Sequence, residues 1–185
     1  MGASAGLFRN CVNLKSVEIL SPSYEHDAFG NIIGYGTTTP NGFLSVYDGA
    51  FEGCINLKSI PLRQDYQVTI YGSPFKGSGI EELKISQFSG FVAPGFMAIP
   101  HKTFAGSNVK TLYIGQLSEW LTVIENVFAD VDHEMNVYFY HYTYEEVLAL
   151  CQGNTAWFDT ASENVHFYFM DTMPSDVVVP GGNDI

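Results

Sequence analysis

Charge is scarce in this sequence, and positive charge is scarcest of all. Eight Lys and Arg stand against twenty Asp and Glu, giving a net charge of −12, and only 15% of the 185 residues are charged. An ordinary globular chain carries about a quarter. The acidic field would repel a phosphate backbone or an anionic bilayer, so nucleic-acid and membrane-surface binding are disfavoured. Long apolar runs are also missing: none approaches the ~20 residues that a membrane helix needs. The opening Met1-Gly2-Ala3-Ser4-Ala5-Gly6 has neither a basic region nor an apolar stretch, so no signal peptide is visible. Cysteine is limited to Cys11, Cys54 and Cys151, an odd number without Cys-x-x-Cys spacing, and the five histidines form no His-x-x-x-His pair. A zinc site is therefore not indicated. Also absent are a Gly-x-Ser-x-Gly elbow, a phosphate-cradling glycine loop and a dinucleotide fingerprint.

What is present is hydrophobic and periodic. The chain is 46% hydrophobic and 15% aromatic, which argues for a folded core beneath a surface of Gly, Ser, Thr, Asn and Tyr. Ala50–Leu62 recurs in near-copies at Gly6–Ile19, Pro74–Ile85 and Thr103–Ile114, and in degraded form at Val127–Phe139. The copies open on Phe8, Phe51, Phe75, Phe104 and Phe128. In the first four, an L-x-x-L-x-L triplet follows: Leu14/Val17/Ile19, Leu57/Ile60/Leu62, Ile80/Leu83/Ile85 and Val109/Leu112/Ile114. Val46, Ile70, Ile99 and Val123 each stand five positions before a phenylalanine. Self-similarity of this kind predicts stacked coils, each unable to bury its apolar side alone. The triplets should form strands of a parallel sheet, and the phenylalanines an internal ladder. The alternating stretches before the phenylalanines predict a second short strand per coil. Cys11 and Cys54 occupy the same place, three residues after the phenylalanine, and should both be buried thiols; Cys151 reads the same way.

Several stretches depart from the period. The phenylalanine spacings are 43, 24, 29 and 24, so residues 20–45 read as an insert, and Asn41-Gly42 suggests a hairpin excursion. Residues 86–100, with Gly90, Pro94, Gly95 and Pro100, read as an apolar loop. Thr143 with Glu146 forms a capping box for one helix carrying Val147, Leu148, Leu150 and Cys151 and stopping at Gly153. That helix, with the strand Asn164–Phe169, reads as a C-terminal closure over 140–170. The division expected is a repeat domain over 1–172 followed by a tail or linker, 173–185. A chain that begins almost on a repeat, without a capping element, reads as a piece of a longer protein.

The motif A-F-x-G-C-x-N-L-K-S-I-x-L, with an aliphatic residue five positions before the phenylalanine, resembles the BspA-type leucine-rich repeat family of bacterial surface proteins over roughly residues 3–170. The resemblance implies a right-handed leucine-rich repeat solenoid, mainly β with a parallel sheet and little helix, exported and displayed on a cell surface. It also implies adhesion or protein–protein interaction, with no enzymatic activity, no catalytic residue and no cofactor.

Candidate binding residues are then those that the packing pattern leaves outside. Tyr113, Tyr138 and His166 are expected in one exposed column, with Lys110 and Tyr140 nearby. Aromatic groups of this kind serve protein interfaces and sugar platforms alike; burial beneath the helix accounts for some of the tyrosines equally well. Two partner classes follow: a protein, or alternatively a glycan held on exposed tyrosines. The run Asp130, Asp132, His133 and Glu134 has oxygen ligands for a hard cation but lacks calcium-loop spacing, and reads as a solvated turn.

Overall fold

A computed structural model describes residues 2–3, 5–17, 23–26, 32–36, 42–60, 62, 66–92 and 102–170. Seven strands, β1 (Gly2–Ala3), β4 (Gly42–Val46), β5 (Tyr66–Tyr71), β6 (Glu82–Val92), β7 (Thr111–Thr122), β8 (Met135–Tyr140) and β9 (Val165–Met170), form one parallel sheet in that order. Two more, β2 (Ser23–His26) and β3 (Ile32–Gly36), pair as an antiparallel ribbon, and two short helices, α1 (Tyr144–Leu150) and α2 (Ala156–Asp159), lie between β8 and β9.

The phenylalanines form the expected ladder. Phe8, Phe51, Phe75, Phe104 and Phe128 stack in sequence at centroid separations of 5.5, 6.5, 6.3 and 5.4 Å, with ring planes within 20° of parallel. All but Phe8 are buried. A backbone ladder runs beside the rings: the amides of Phe8, Phe51 and Phe104 donate to the carbonyls of Ala50, Pro74 and Val127, each the residue before the next phenylalanine. Two positions after every phenylalanine the chain turns through the left-handed region, at Asn10, Gly53, Gly77, Gly106 and Asp130, with φ between 54° and 70°. Side chains other than glycine, asparagine and aspartate rarely tolerate that conformation. The degraded fifth repeat thus keeps the same turn, with Asp130 in the glycine place.

The aliphatic triplets of repeats two to four are buried throughout, as are Val46 and Ile70. In the first repeat Leu14 and Val17 are partly buried, and Ile19 lies outside the described residues. The Cys position is filled by Ser78 and Ser107 in repeats three and four and by Val131 in the fifth, all buried. Each serine amide donates to the phenylalanine carbonyl three residues back, as the amides of Cys11 and Cys54 do. A small side chain is what this position requires.

Cysteine burial holds for two of the three. Cys54 is buried, and its thiol donates to the Phe8 carbonyl at 2.9 Å; Cys151 is buried as well. Cys11 is exposed. It belongs to the outermost rung of the described ladder, where no further coil lies against it. Burial raises the thiol pKa of Cys54 and pushes that of Cys151 up to about 11. In the native protein a thiol reagent should therefore modify Cys11 quickly, with Cys54 and Cys151 reacting only on unfolding. Native labelling of Cys54 as fast as Cys11, read by mass spectrometry, would contradict this packing.

Elsewhere the structure differs from the sequence pattern. The two short strands expected per coil merge in β6 and β7, which run for 11 and 12 residues. Residues 86–92, expected in a loop, are the second half of β6, with Phe88 and Phe91 wholly buried; residues 93–100 lie outside the described set. The Leu57–Leu62 triplet packs inward without forming a strand. The insert does hold a hairpin, but residues 27–31 connect its strands, and Gly42 instead starts β4 in the main sheet. Asn41 and the proposed tail lie outside the described residues.

The helix expected after Thr143 forms, and a second one follows it. Thr143 caps α1: its side chain accepts from the Glu146 amide while the Glu146 carboxylate accepts from the Thr143 amide. The second helix, α2, carries no periodic signal in four residues, yet it delivers Trp157 to the core against Phe88, Phe91 and Phe139. β9 then pairs with β8 in parallel.

Candidate binding face on the parallel sheet

Residues between the buried positions of β6 to β9 point outward, and their register sets two columns. One runs Lys84, Tyr113, Tyr138, Tyr168; the other runs Glu82, Thr111, Asn136, His166. Strand alternation places both on one face, because members of a strand two apart share a side. In the first column the Tyr113 and Tyr138 rings stack at 5.2 Å and those of Tyr138 and Tyr168 at 4.8 Å, with the Lys84 ammonium 5.7 Å from the Tyr113 centroid. Tyr168 is exposed, while Tyr113 and Tyr138 are half-buried.

This placement corrects the expected column. His166 is two residues along the strand from the tyrosine column, and Tyr168 takes the place given to it. Its imidazole Nε2 is 2.7 Å from a carboxylate oxygen of Glu134. Tyr140 is not an exposed residue: its ring stacks 5.9 Å from Tyr113 but is fully buried. Lys110 precedes the Thr111 position and is exposed, with its ammonium 3.0 Å from Glu81. The lysine hydrogen bond and charge, with a smaller contribution from Lys58, hold the Glu81 carboxyl below its usual pKa. An ion pair this open is screened by solvent and contributes little to stability. The sheet end thus unites Tyr113, Tyr138 and His166, leaves Lys110 at its border, and removes Tyr140. Tyr168 was legible in the strand Asn164–Phe169, but the register that aligns it with Tyr138 was not.

The acidic run is spent on local contacts. Asp130 pairs with Lys102, Asp132 with His133, and Glu134 with His166. His133 Nε2 also lies 2.8 Å from the Val109 carbonyl, and the hydrogen bond from its other nitrogen draws the Asp132 pKa down. Among the described residues no three His, Cys, Asp or Glu side chains are grouped to hold a metal ion, and no helix is long and apolar enough to cross a membrane.

Comparison with known proteins matches that geometry. The model of the BspA type leucine-rich repeat region matches in six copies over residues 4–110, more than half of the chain. The match is shorter than the 3–170 expected, although β8 and β9 continue the sheet beyond it. No curated protein matches, and no solved structure does. Leucine-rich repeats of this type are generally non-catalytic interaction modules, and the family is associated with bacterial surface proteins. With its phenylalanine ladder, recurring left-handed turn and parallel sheet, the chain belongs to the BspA-type leucine-rich repeat family.

Proposed function

We propose that this chain is a non-catalytic protein-interaction or adhesion module, displayed outside a bacterial cell, that binds through the outer face of β6 to β9. The observation that carries the reading is the stacked column Tyr113–Tyr138–Tyr168 with Lys84 at its head. Most of the other patterned residues are already used in packing the coils. Rings held by their neighbours lose little entropy on binding, and tyrosine supplies both apolar area and a hydroxyl, as interface anchors do. The net acidity of −12 favours a neutral or basic partner and binding that weakens with salt. A glycan platform on these tyrosines is less well supported: stacking covers ring faces, Tyr140 is buried, and the column offers mainly edges and hydroxyls.

The test is a screen of the purified chain against arrayed extracellular-matrix proteins, followed by affinity measurement on a hit. Tyr113→Ala combined with Tyr138→Ala should weaken binding at least about tenfold, a loss of ~1.4 kcal/mol, while leaving the circular dichroism spectrum unchanged. Undiminished affinity in that variant would remove the tyrosine column from the interface. Turnover of a substrate by the purified chain would overturn the reading altogether.

A further inference from the structure

A second surface feature lies further along the same strands and uses other side chains. Gln67 of β5 faces Gln87 of β6, and Gln87 faces Gln116 of β7, so three glutamines stand in register across adjacent strands. They border a groove of about 270 Å³, with Ser118 and Glu119 at its side and Phe88 and Leu117 beneath.

The bend of the strands opens it. Inward positions run Leu83, Ile85 and then Phe88 in β6, and Leu112, Ile114 and then Leu117 in β7, so both strands lose alternation at one level. Gly115 sits there, where an added Cβ would be 2.6 Å from the Ser86 carbonyl oxygen. At this corner Gln87 and Gln116 both escape the core. The Leu117 amide is engaged from the closure side, donating to the Tyr142 hydroxyl at 3.0 Å. Gln67 accepts a 3.4 Å bond from Ser89, whereas the side-chain amides of Gln87 and Gln116 have no hydrogen-bond partner among the described residues.

The lining selects its ligand by chemistry. Among the described residues it contains no cation and one carboxylate, so phosphate, sulfate and acidic sugars are unfavoured. Each amide offers donors and acceptors together, which suits a hydroxyl that does both. Three amides at the ~4.8 Å strand spacing offer such a pair at every step along an extended molecule. An added peptide strand would need free backbone groups at a sheet edge; β5 and β6 are paired on both sides, and in β7, which pairs with β8 only over Thr111–Ile114, the Leu117 amide is already taken by the Tyr142 hydroxyl. We propose that this groove binds a neutral oligosaccharide, with Gln67, Gln87 and Gln116 as its hydrogen-bonding row and Phe88 and Leu117 closing the floor.

The experiment is a titration of isotope-labelled protein with cellotriose, maltotriose and mannotriose, following the glutamine side-chain amide resonances. Sialyllactose and a neutral extended peptide serve as comparison probes. Saturable shifts at Gln67, Gln87 and Gln116 with at least one neutral trisaccharide are expected. Gln87→Leu with Gln116→Leu should weaken that binding at least about tenfold. Gln116→Ala, at an exposed position where folding is not at stake, should weaken it severalfold. Absence of shifts at these glutamines with all three trisaccharides overturns the proposal. So does a response to the peptide or sialyllactose alone, or unchanged affinity in Gln116→Ala.

Discussion

Replacing Phe75 with alanine is expected to destabilise the protein by about 3–5 kcal/mol, the range for truncating a buried aromatic residue. The ring is wholly buried between Phe51 and Phe104, parallel to within 4° of the first and 20° of the second. Removing it opens a cavity shared by two coil interfaces, and the backbone ladder that holds the neighbouring turns limits their collapse into it. Because stability in a repeat array is largely nearest-neighbour interaction, the damage should reach the coils on both sides. Phe8→Ala is the matched control: that ring has one ladder neighbour and is only half-buried, so its loss should cost distinctly less. Denaturant midpoints at constant slope would measure both. A Phe75→Ala protein as stable as its parent, or less affected than Phe8→Ala, would be incompatible with the stacked ladder.

Trp157→Ala should have an effect of similar size, about 3–5 kcal/mol, for a different reason. The indole is fully buried and lies 6.3 Å from Phe88, 5.5 Å from Phe91 and 6.5 Å from Phe139 by ring centroid. It therefore joins the second half of β6 to β8 from a helix of only four residues. Such a helix cannot hold itself in place by backbone bonds alone, so its position depends on that side chain. Truncation should loosen the segment between β8 and β9 before the phenylalanine ladder gives way. Hydrogen exchange would reveal this as faster exchange in α1, α2 and β9 while the amides of Phe51 and Phe104 stay protected. Uniform exchange across the molecule, or an unchanged unfolding midpoint, would mean that the closure is held by something other than Trp157.

The sequence alone determined the coil. Its period named all five ladder phenylalanines, the buried triplets of the regular repeats and the capping box at Thr143, because each depends on residues within one turn or one repeat. The left-handed turn was also written there, as glycine two places after Phe51, Phe75 and Phe104, with Asn10 and Asp130 as the substitutes that conformation tolerates. Alignment between coils was decided only in three dimensions. Phenylalanine spacings of 43, 24, 29 and 24 give coils of unequal length, so counting residues cannot say which outward side chain lies beside which. That is why the sequence pattern points to His166 for the column that Tyr168 occupies, a displacement of two residues that preserves the face. Burial at the ends of the stack was likewise tertiary: Cys11 and Cys54 have equivalent local sequence, but among the described residues coils lie against Cys54 from both sides and against Cys11 from one. The glutamine groove is the furthest case. Gln67, Gln87 and Gln116 belong to three different coils, and they meet only because β5, β6 and β7 pair in register while β6 and β7 lose their alternation at one level.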